Sequence, residues 1–498
     1  STRRVISNMS LSYLLADDHT TMLNIIEKIL CHFESCFSRK AAFRWFVIII
    51  TGLMLRSDKL GVTSILRDLA LAPGCYDSML HFFRASSWSL EDIRKRWFSA
   101  VRLYAPLYKE GNFHVLVGDG VKQSKEGRRM PGVKKLFQES ENSAKPEYMH
   151  GHMFGGLGIL AGNFRSWACI PLSIRLHDGL QAAREWKGAS VSTASHVVQM
   201  VEDSYHAALT FGDSLLLLDR YFLTVPALEK LRELNNSGKV HMEIVTKAKK
   251  SCTAFQKPGP RKPGRGRPPK KGDAVHLKGL FASHKEQFME TETELYGKKK
   301  TIRYYSIDLL WGQKLYQELR FVLVEMDGIQ SILASTSLAL DPLSIIRLYS
   351  YRFRIECTFR ELKQQTGAFC YHFWSKHMPK LSYYQKKGEP TPLERVEDER
   401  SRKKILKTVR AIEVHMELSC IAMGILQTLS IRFIGKVCSS QIRYQRTPSK
   451  GRVSEAALMH YFRKHFFRLL EQKPKSYITQ IIHELQEESE KHWDFLAS

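Results

Sequence analysis

Residues 341–367 read DPLSIIRLYSYRFRIECTFRELKQQTG. Asp341 followed by Pro342 is an N-cap with proline at the first helical position, and Gly367 suits a C-cap, so the stretch predicts a helix of about 25 residues, roughly 37 Å long. Counted from Tyr349, Arg352, Glu356 and Lys363 lie 3, 7 and 14 residues further along it. At about 100° per residue they fall within an arc of about 60°, one polar face. A solvated face would give the same stripe. Here Ile345, Ile346, Phe353, Ile355, Phe359 and Leu362 fill much of the rest, which predicts a mostly buried helix with a narrow polar edge.

Upstream, FHVLVGDG from Phe113, MFGGLGILAG from Met153 and WACIPLSIRL from Trp167 read as three successive strands. A helix over 193–209, an apolar run at 215–218, a helix near 225–234 and a strand at 241–246 follow, which makes an α/β layer. Asp119 ends the first of these runs between two glycines, and Asp219 directly follows 215–218. Both therefore sit at the carboxyl ends of core strands, where α/β sheets place their sites. Either alone reads equally well as a turn residue or cap. With Glu356 they form a set of three carboxylates. Three such groups in one cleft repel unless neutralised, and the natural neutraliser is a hard divalent cation with oxygen ligands, Mg²⁺ or Mn²⁺. Phosphodiester chemistry needs such ions, two of them about 4 Å apart in many enzymes.

The charge balance points the same way. The chain has 498 residues, with 76 Lys plus Arg against 50 Asp plus Glu, a net +26, and a polyanion is the partner such an excess implies. Residues 247–271 hold ten basic residues, five prolines and no acid, which predicts a solvated loop. Its RKPGRGRPPKK core resembles the AT-hook arms that lay arginines, here Arg265 and Arg267, into the minor groove. HLKGLF, ETELYG, RYYSIDLLW and LRFVLVEM then alternate like antiparallel strands, a β-rich insertion over 247–320. Residues 1–108 read as helical, with a candidate helix-turn-helix at 64–84 that presents Tyr76, Ser78, His81 and Arg84.

Other signals exclude more than they suggest. The longest apolar run, 45–55, falls short of the roughly 20 residues that span a bilayer, so no membrane is expected. The amino terminus lacks the apolar core of a secretory signal, and nine cysteines without a C-x-x-C pair point to a reducing compartment. Gly156-x-Gly158-x-x-Ala161 opens no helix, and the glycines of 259–266 lack the G-K-[ST] ending, so no nucleotide cofactor is expected. His150 and His152 have no third ligand and read as ordinary strand residues.

Tyr349-x2-Arg352-x3-Glu356-x6-Lys363 matches the Y-R-E-K signature, and the chain resembles bacterial insertion-sequence transposases with a DDE active site, the cut-and-paste group that forms DNA hairpins. The resemblance extends from Asp119 to Lys363. It implies an α/β, RNase H-like catalytic core of mixed sheet flanked by helices, in two parts, 109–246 and 321–375, split by the insertion. Helical regions at 1–108 and 376–498 would bind DNA and support dimerisation. It further implies that Asp119, Asp219 and Glu356 are catalytic and hold the metal, and that Tyr349, Arg352 and Lys363 contact DNA. Arg220 and Lys122 are further candidate contacts, and Trp311 is a candidate for stacking a flipped base. The departure is Arg220-Tyr221-Phe222 where relatives carry a small residue two places after the aspartate. Metal-activated water would cleave the transposon end, and the freed 3′-hydroxyl would attack target DNA, in a homodimer holding two double-stranded ends. The implied location is the cytoplasm, at a bacterial nucleoid. An RNase H-like nuclease or resolvase, and a silent domesticated DNA-binding protein, are the alternatives.

Overall fold

The computed structural model describes residues 18–138, 146–163, 166–188, 195–259, 268–382, 384, 389–433 and 453–486. Five helices come first: α1 (Asp18–Cys31), α2 (Lys40–Leu55), α3 (Thr63–Asp68), α4 (Cys75–Arg84) and α5 (Leu90–Tyr104). Strands β1 (Lys109–Glu110), β2 (Phe113–Ser124), β3 (Lys134–Phe137), β4 (Tyr148–Asn163) and β5 (Ser166–Leu176) precede α6 (His196–Phe211), β6 (Ser214–Leu217), α7 (Val225–Ser237) and β7 (Met242–Ala248). Then β8 (Thr253–Phe255), β9 (Ala274–His276), β10 (Met289–Leu295), β11 (Lys298–Trp311), β12 (Gln317–Met326) and β13 (Ile329–Ser335) lead to α8 (Pro342–Tyr351), α9 (Phe353–Glu361), α10 (Glu399–Arg432) and α11 (Glu455–Gln472).

The strands form one 13-stranded sheet with a spine of β3-β4-β2-β6-β7-β13-β12-β11-β8-β9, and β5 pairs with β4. Within it, β2, β6 and β7 run parallel, while β4 is antiparallel to both β2 and β5. The order β5-β4-β2-β6-β7 with one reversed strand is the RNase H-like arrangement. β13 pairs antiparallel with β7, so the β10–β13 meander extends the core sheet itself, and β12 runs through residue 320.

Alternation along the strands decides which side chain faces which layer. Leu116, Leu216 and Leu218 join the larger apolar cluster with α2, α5, α6, α7 and α10. Val115, Val117, Leu215 and Leu217 face the opposite way and pack with Ile345, Leu348 and Ile355 of α8 and α9. Helices therefore cover both faces, and the odd-numbered side chains of β2 point toward α8 and α9.

Three local expectations need correction. HLKGLF is a 3-10 turn followed by a short helix, Leu280–Ser283, because Leu277, Leu280 and Phe281 are buried at helical rather than alternate spacing. The helix expected over 342–366 is broken at Arg352, where bonds from the Arg352 N–H to the Tyr349 carbonyl and from the Ile355 N–H to the Arg352 carbonyl tighten the turn. It widens into a π-helical turn at Leu362–Thr366 before Gly367 caps it at φ +61°. Finally, α10 is long and apolar enough to cross a membrane, yet that apolar stretch is wholly buried inside the fold. Its Gly424 lies so close to the Trp97 ring that a Cβ there would be 2.2 Å from Cζ2.

Candidate active site

Parallel pairing sets Val117 opposite Leu217 and Leu217 opposite Val245. Two residues further along stand Asp119 on β2, Asp219 just past the end of β6, and Lys247 on β7; Asp119 does not end its strand as expected, because β2 stays paired with β4 as far as Ser124, and lies instead two residues beyond the last parallel pair with β6. Asp119 continues the Val115 and Val117 alternation and so points toward α8 and α9. There Arg352 donates to Asp119 Oδ2 at 3.0 Å and to Glu356 Oε1 at 2.6 Å. The second Asp119 oxygen accepts the Gly120 N–H at 2.8 Å. Asp219 caps the 3-10 turn Arg220–Phe222 by accepting the Arg220 N–H, while Thr246 holds its carbonyl at 2.8 Å. Glycines allow the close approach. Asp119 pairs with Gly156 on β4, and a Cβ there would lie 2.5 Å from the ring of Phe359, one helical turn from Glu356. The dinucleotide-like glycine pattern thus serves packing.

Burial pushes the Asp119 carboxyl up to about 6. Arg352 and the Gly120 N–H pull it down, and Asp219 and Glu356 push it further up, which places the three carboxylates in one electrostatic neighbourhood. Arg352 is held above its ordinary value because Asp119, Tyr349, Glu356 and Asp219 outweigh its burial. Burial raises the Tyr349 hydroxyl to about 12, and its ring lies 5.9 Å from the Arg352 guanidinium.

The donor set fits a hard divalent cation in kind: three carboxylates, one within β2, one just past β6 and one on a helix, close enough to perturb one another. In this conformation the positive charge among them is the Arg352 guanidinium. No three acidic, His or Cys side chains converge into a metal cage among the described residues.

Other expected residues lie nearby or elsewhere. Arg220 is exposed beside Asp219, and Lys122 is exposed on β2 with Nζ on the Phe137 carbonyl at 2.8 Å. Lys363 is exposed in the π-helical turn and makes no ion pair among the described residues. Trp311 is half-buried at the end of β11, four strands along the sheet from β6, with its indole N–H on Cys252 Sγ at 3.1 Å. Arg265 and Arg267 lie outside the described residues. Tyr221, two places after Asp219, is exposed, and Phe222 is buried against the ring of His196. His152 is buried between the Tyr371 hydroxyl and the Pro131 carbonyl.

Sequence reasoning missed two neighbours of this site. Lys247, assigned above to the basic loop, stands on β7, and burial followed by Arg220 lowers its ammonium value while Asp219 raises it. His196 on α6 points Nε2 at Gly120, where a Cβ would be only 2.9 Å away. Among the described residues that nitrogen is buried without a partner, while the ring bonds through His177 to Asp203. Only the register of β6 on β7 would have revealed Lys247.

No curated protein matches the chain. Among solved structures, the piggyBac transposase synaptic complex with hairpin DNA, determined by cryo-EM, aligns over 95% of this chain and 83% of that one, at 12% identity and a TM-score of 0.36. The family model described as DDE superfamily endonuclease matches residues 32–304, more than half of the chain, a span that contains Asp119 and Asp219 and ends ahead of Glu356. Endonucleases of that superfamily generally act with divalent metal ions. The chain belongs to the DDE superfamily of endonucleases.

Proposed function

We propose that this chain is a DNA transposase of the insertion-sequence type with the Y-R-E-K signature, cutting at transposon ends and joining the freed 3′-hydroxyls to target DNA. The observation that carries the reading is the placement of Asp119 and Asp219, each two residues beyond the last parallel pair of β2 and β6, electrostatically coupled to Glu356 on the covering helix. These three would hold Mg²⁺ or Mn²⁺, two ions in this reading. Such ions supply activation of the attacking water and neutralisation of the departing oxygen.

The chain's own residues then position DNA. Arg352 lets go of the carboxylates and turns to a backbone phosphate, a ligand that suits its planar fork. Tyr349, Lys247 and Arg220 line the same edge, and Lys122 and Lys363 extend the positive charge outward. Residues 64–84 form two helices around a turn, and Tyr76, Ser78, His81 and Arg84 are all exposed. We assign them to end recognition, residues 247–320 to the insertion, and residues 376–498 to support of a homodimer that holds two ends.

The experiment is incubation of the protein with Mg²⁺ and labelled linear DNA bearing the element's ends, with every product sequenced. Cleavage followed by joining is expected. Cleavage without joining assigns a nuclease, and binding without cleavage in Mg²⁺ or Mn²⁺ assigns a silent DNA-binding protein. Asp119→Asn, Asp219→Asn and Glu356→Gln should each lower cleavage by at least about 10³-fold while DNA binding persists. Full activity in any one removes that residue from the set.

A further inference from the structure

Beyond Gly367 the chain runs without regular structure, and its side chains alternate. Tyr371, Phe373 and Ser375 are buried, while His372, Trp374 and Lys376 face outward. Trp374 is 57% exposed, a large apolar surface left in water. It stands with His372 between two clefts. One, of about 650 Å³, is lined by Tyr76, His81 and Arg84 of α4 and by Lys376, Lys404 and Lys407. The other, of about 700 Å³, is lined by Ser124, Lys125, Phe369 and Lys380. Among the described residues, Glu126 is the only carboxylate in either lining.

Arg84, Lys376, Lys380, Lys404 and Lys407 make no ion pair among the described residues, so the surface carries uncompensated positive charge around a bare indole. Basic side chains that follow a backbone, with an aromatic face between them, are what binds unpaired nucleic acid. Each cleft has the dimensions of a small-ligand pocket, which admits a nucleotide and not a duplex. A base inside a duplex is already stacked and does not reach an indole. We propose that the Trp374 ridge is a binding site for single-stranded DNA, with an unpaired base stacked on the indole and the flanking phosphates held by Lys404 and Lys407 on one side and Lys380 on the other.

The position adds a role that rests on the transposase reading. The second cleft begins at Ser124, five residues along β2 from Asp119 and so roughly 17 Å away. A strand that parts from its complement at the carboxylates arrives at Trp374 within a few nucleotides.

The test is fluorescence anisotropy of a labelled thymidine oligomer with the full chain, in EDTA, alongside a duplex of equal length. Trp374→Ala should weaken oligomer binding by about 5- to 150-fold, and Trp374→Phe should restore most of it. Duplex affinity should be unchanged in both. Lys404→Gln combined with Lys407→Gln should lower the slope of log affinity against log salt by about 1.4. The proposal is overturned by unchanged oligomer binding in Trp374→Ala, by an equal loss for duplex, or by a Phe variant as weak as the Ala variant. Because the readout is binding without divalent ions, it stands or falls separately from cleavage.

Discussion

The guanidinium of Arg352 lies 3.0 Å from Asp119 Oδ2, with 15% and 18% of the two side chains exposed. It holds Glu356 at the same time, so one cation screens two carboxylates that would otherwise repel. A divalent ion held by these carboxylates would supply positive charge in its place, and the two therefore compete.

That competition is measurable. Arg352→Gln should bind Mn²⁺ at least several-fold more tightly than the unaltered chain by calorimetry, although its DNA cleavage falls. In EDTA the variant should lose about 1–3 kcal/mol of stability, the usual worth of charged hydrogen bonds, and added Mn²⁺ should return much of it. Equal Mn²⁺ affinity in both proteins would refute the idea.

Asp119 sets a pH dependence. Its carboxyl is raised from an ordinary 3.8 to about 6, so between those values the folded chain holds more protons than the unfolded one. Stability from this group is fully present at low pH and declines as pH rises from about 4 to 6, by about 3 kcal/mol in all. Melting curves without divalent ions should show Asp119→Asn gaining on the unaltered chain across that window and running parallel above about pH 7. Divalent-ion affinity should rise over the same window. Parallel curves throughout would remove Asp119 as the titrating group.

Gly156→Ala tests how the helix of Glu356 is seated. The added methyl meets the Phe359 ring at 2.5 Å, and overpacking of this kind costs about 1–3 kcal/mol. Displacement of α9 should also lower cleavage more than the loss of stability accounts for. Phe359→Leu in the same chain should recover part of both. A Gly156→Ala protein with unchanged melting and activity would show that α9 yields freely.

Arg94 and Glu417 form a buried pair, Nε to Oε2 at 2.9 Å, with 6% and 0% of their side chains exposed. Burial raises Glu417 to about 7 against the pull of Arg94. Arg94→Met leaves that carboxylate alone and should cost about 3–5 kcal/mol, less at pH 5 where Glu417 takes up a proton. Glu417→Gln in the same chain should restore much of the loss. If the double variant melts no higher than the single one, the unpaired charge is not what destabilises it.

What was legible in the sequence was what local chemistry dictates. Asp341, Pro342 and Gly367 marked their helix, and apolar runs marked β2, β4, β5, β6 and β7, hence the mixed sheet. The short β3, with its lysines, and β13, half polar, carried no such signal. The break at Arg352 was hidden because its backbone stays helical at φ −52° and ψ −37°, and only the hydrogen-bond ladder changes. The relation of Asp119 to Asp219 followed from the apolar run before each, although β2 continues past Asp119 to Ser124, and Arg352 bridging Asp119 and Glu356 required packing of α9 across Gly156. Trp374 went unread because it follows the helix in an irregular stretch, where exposure has no periodic signature.

The burial of α10 fixes when this protein can become itself. The helix packs against α2, α4, α5 and β5, so the first hundred residues cannot close their core until residues beyond 400 have left the ribosome. At about 5–20 residues per second the amino-terminal helices wait on the order of half a minute, their apolar faces uncovered. Shortened translation products that lack α10 would therefore be poor substitutes or competitors for the whole chain, and would fall to chaperones and proteases. Only copies that extend through α10 would reach a working form.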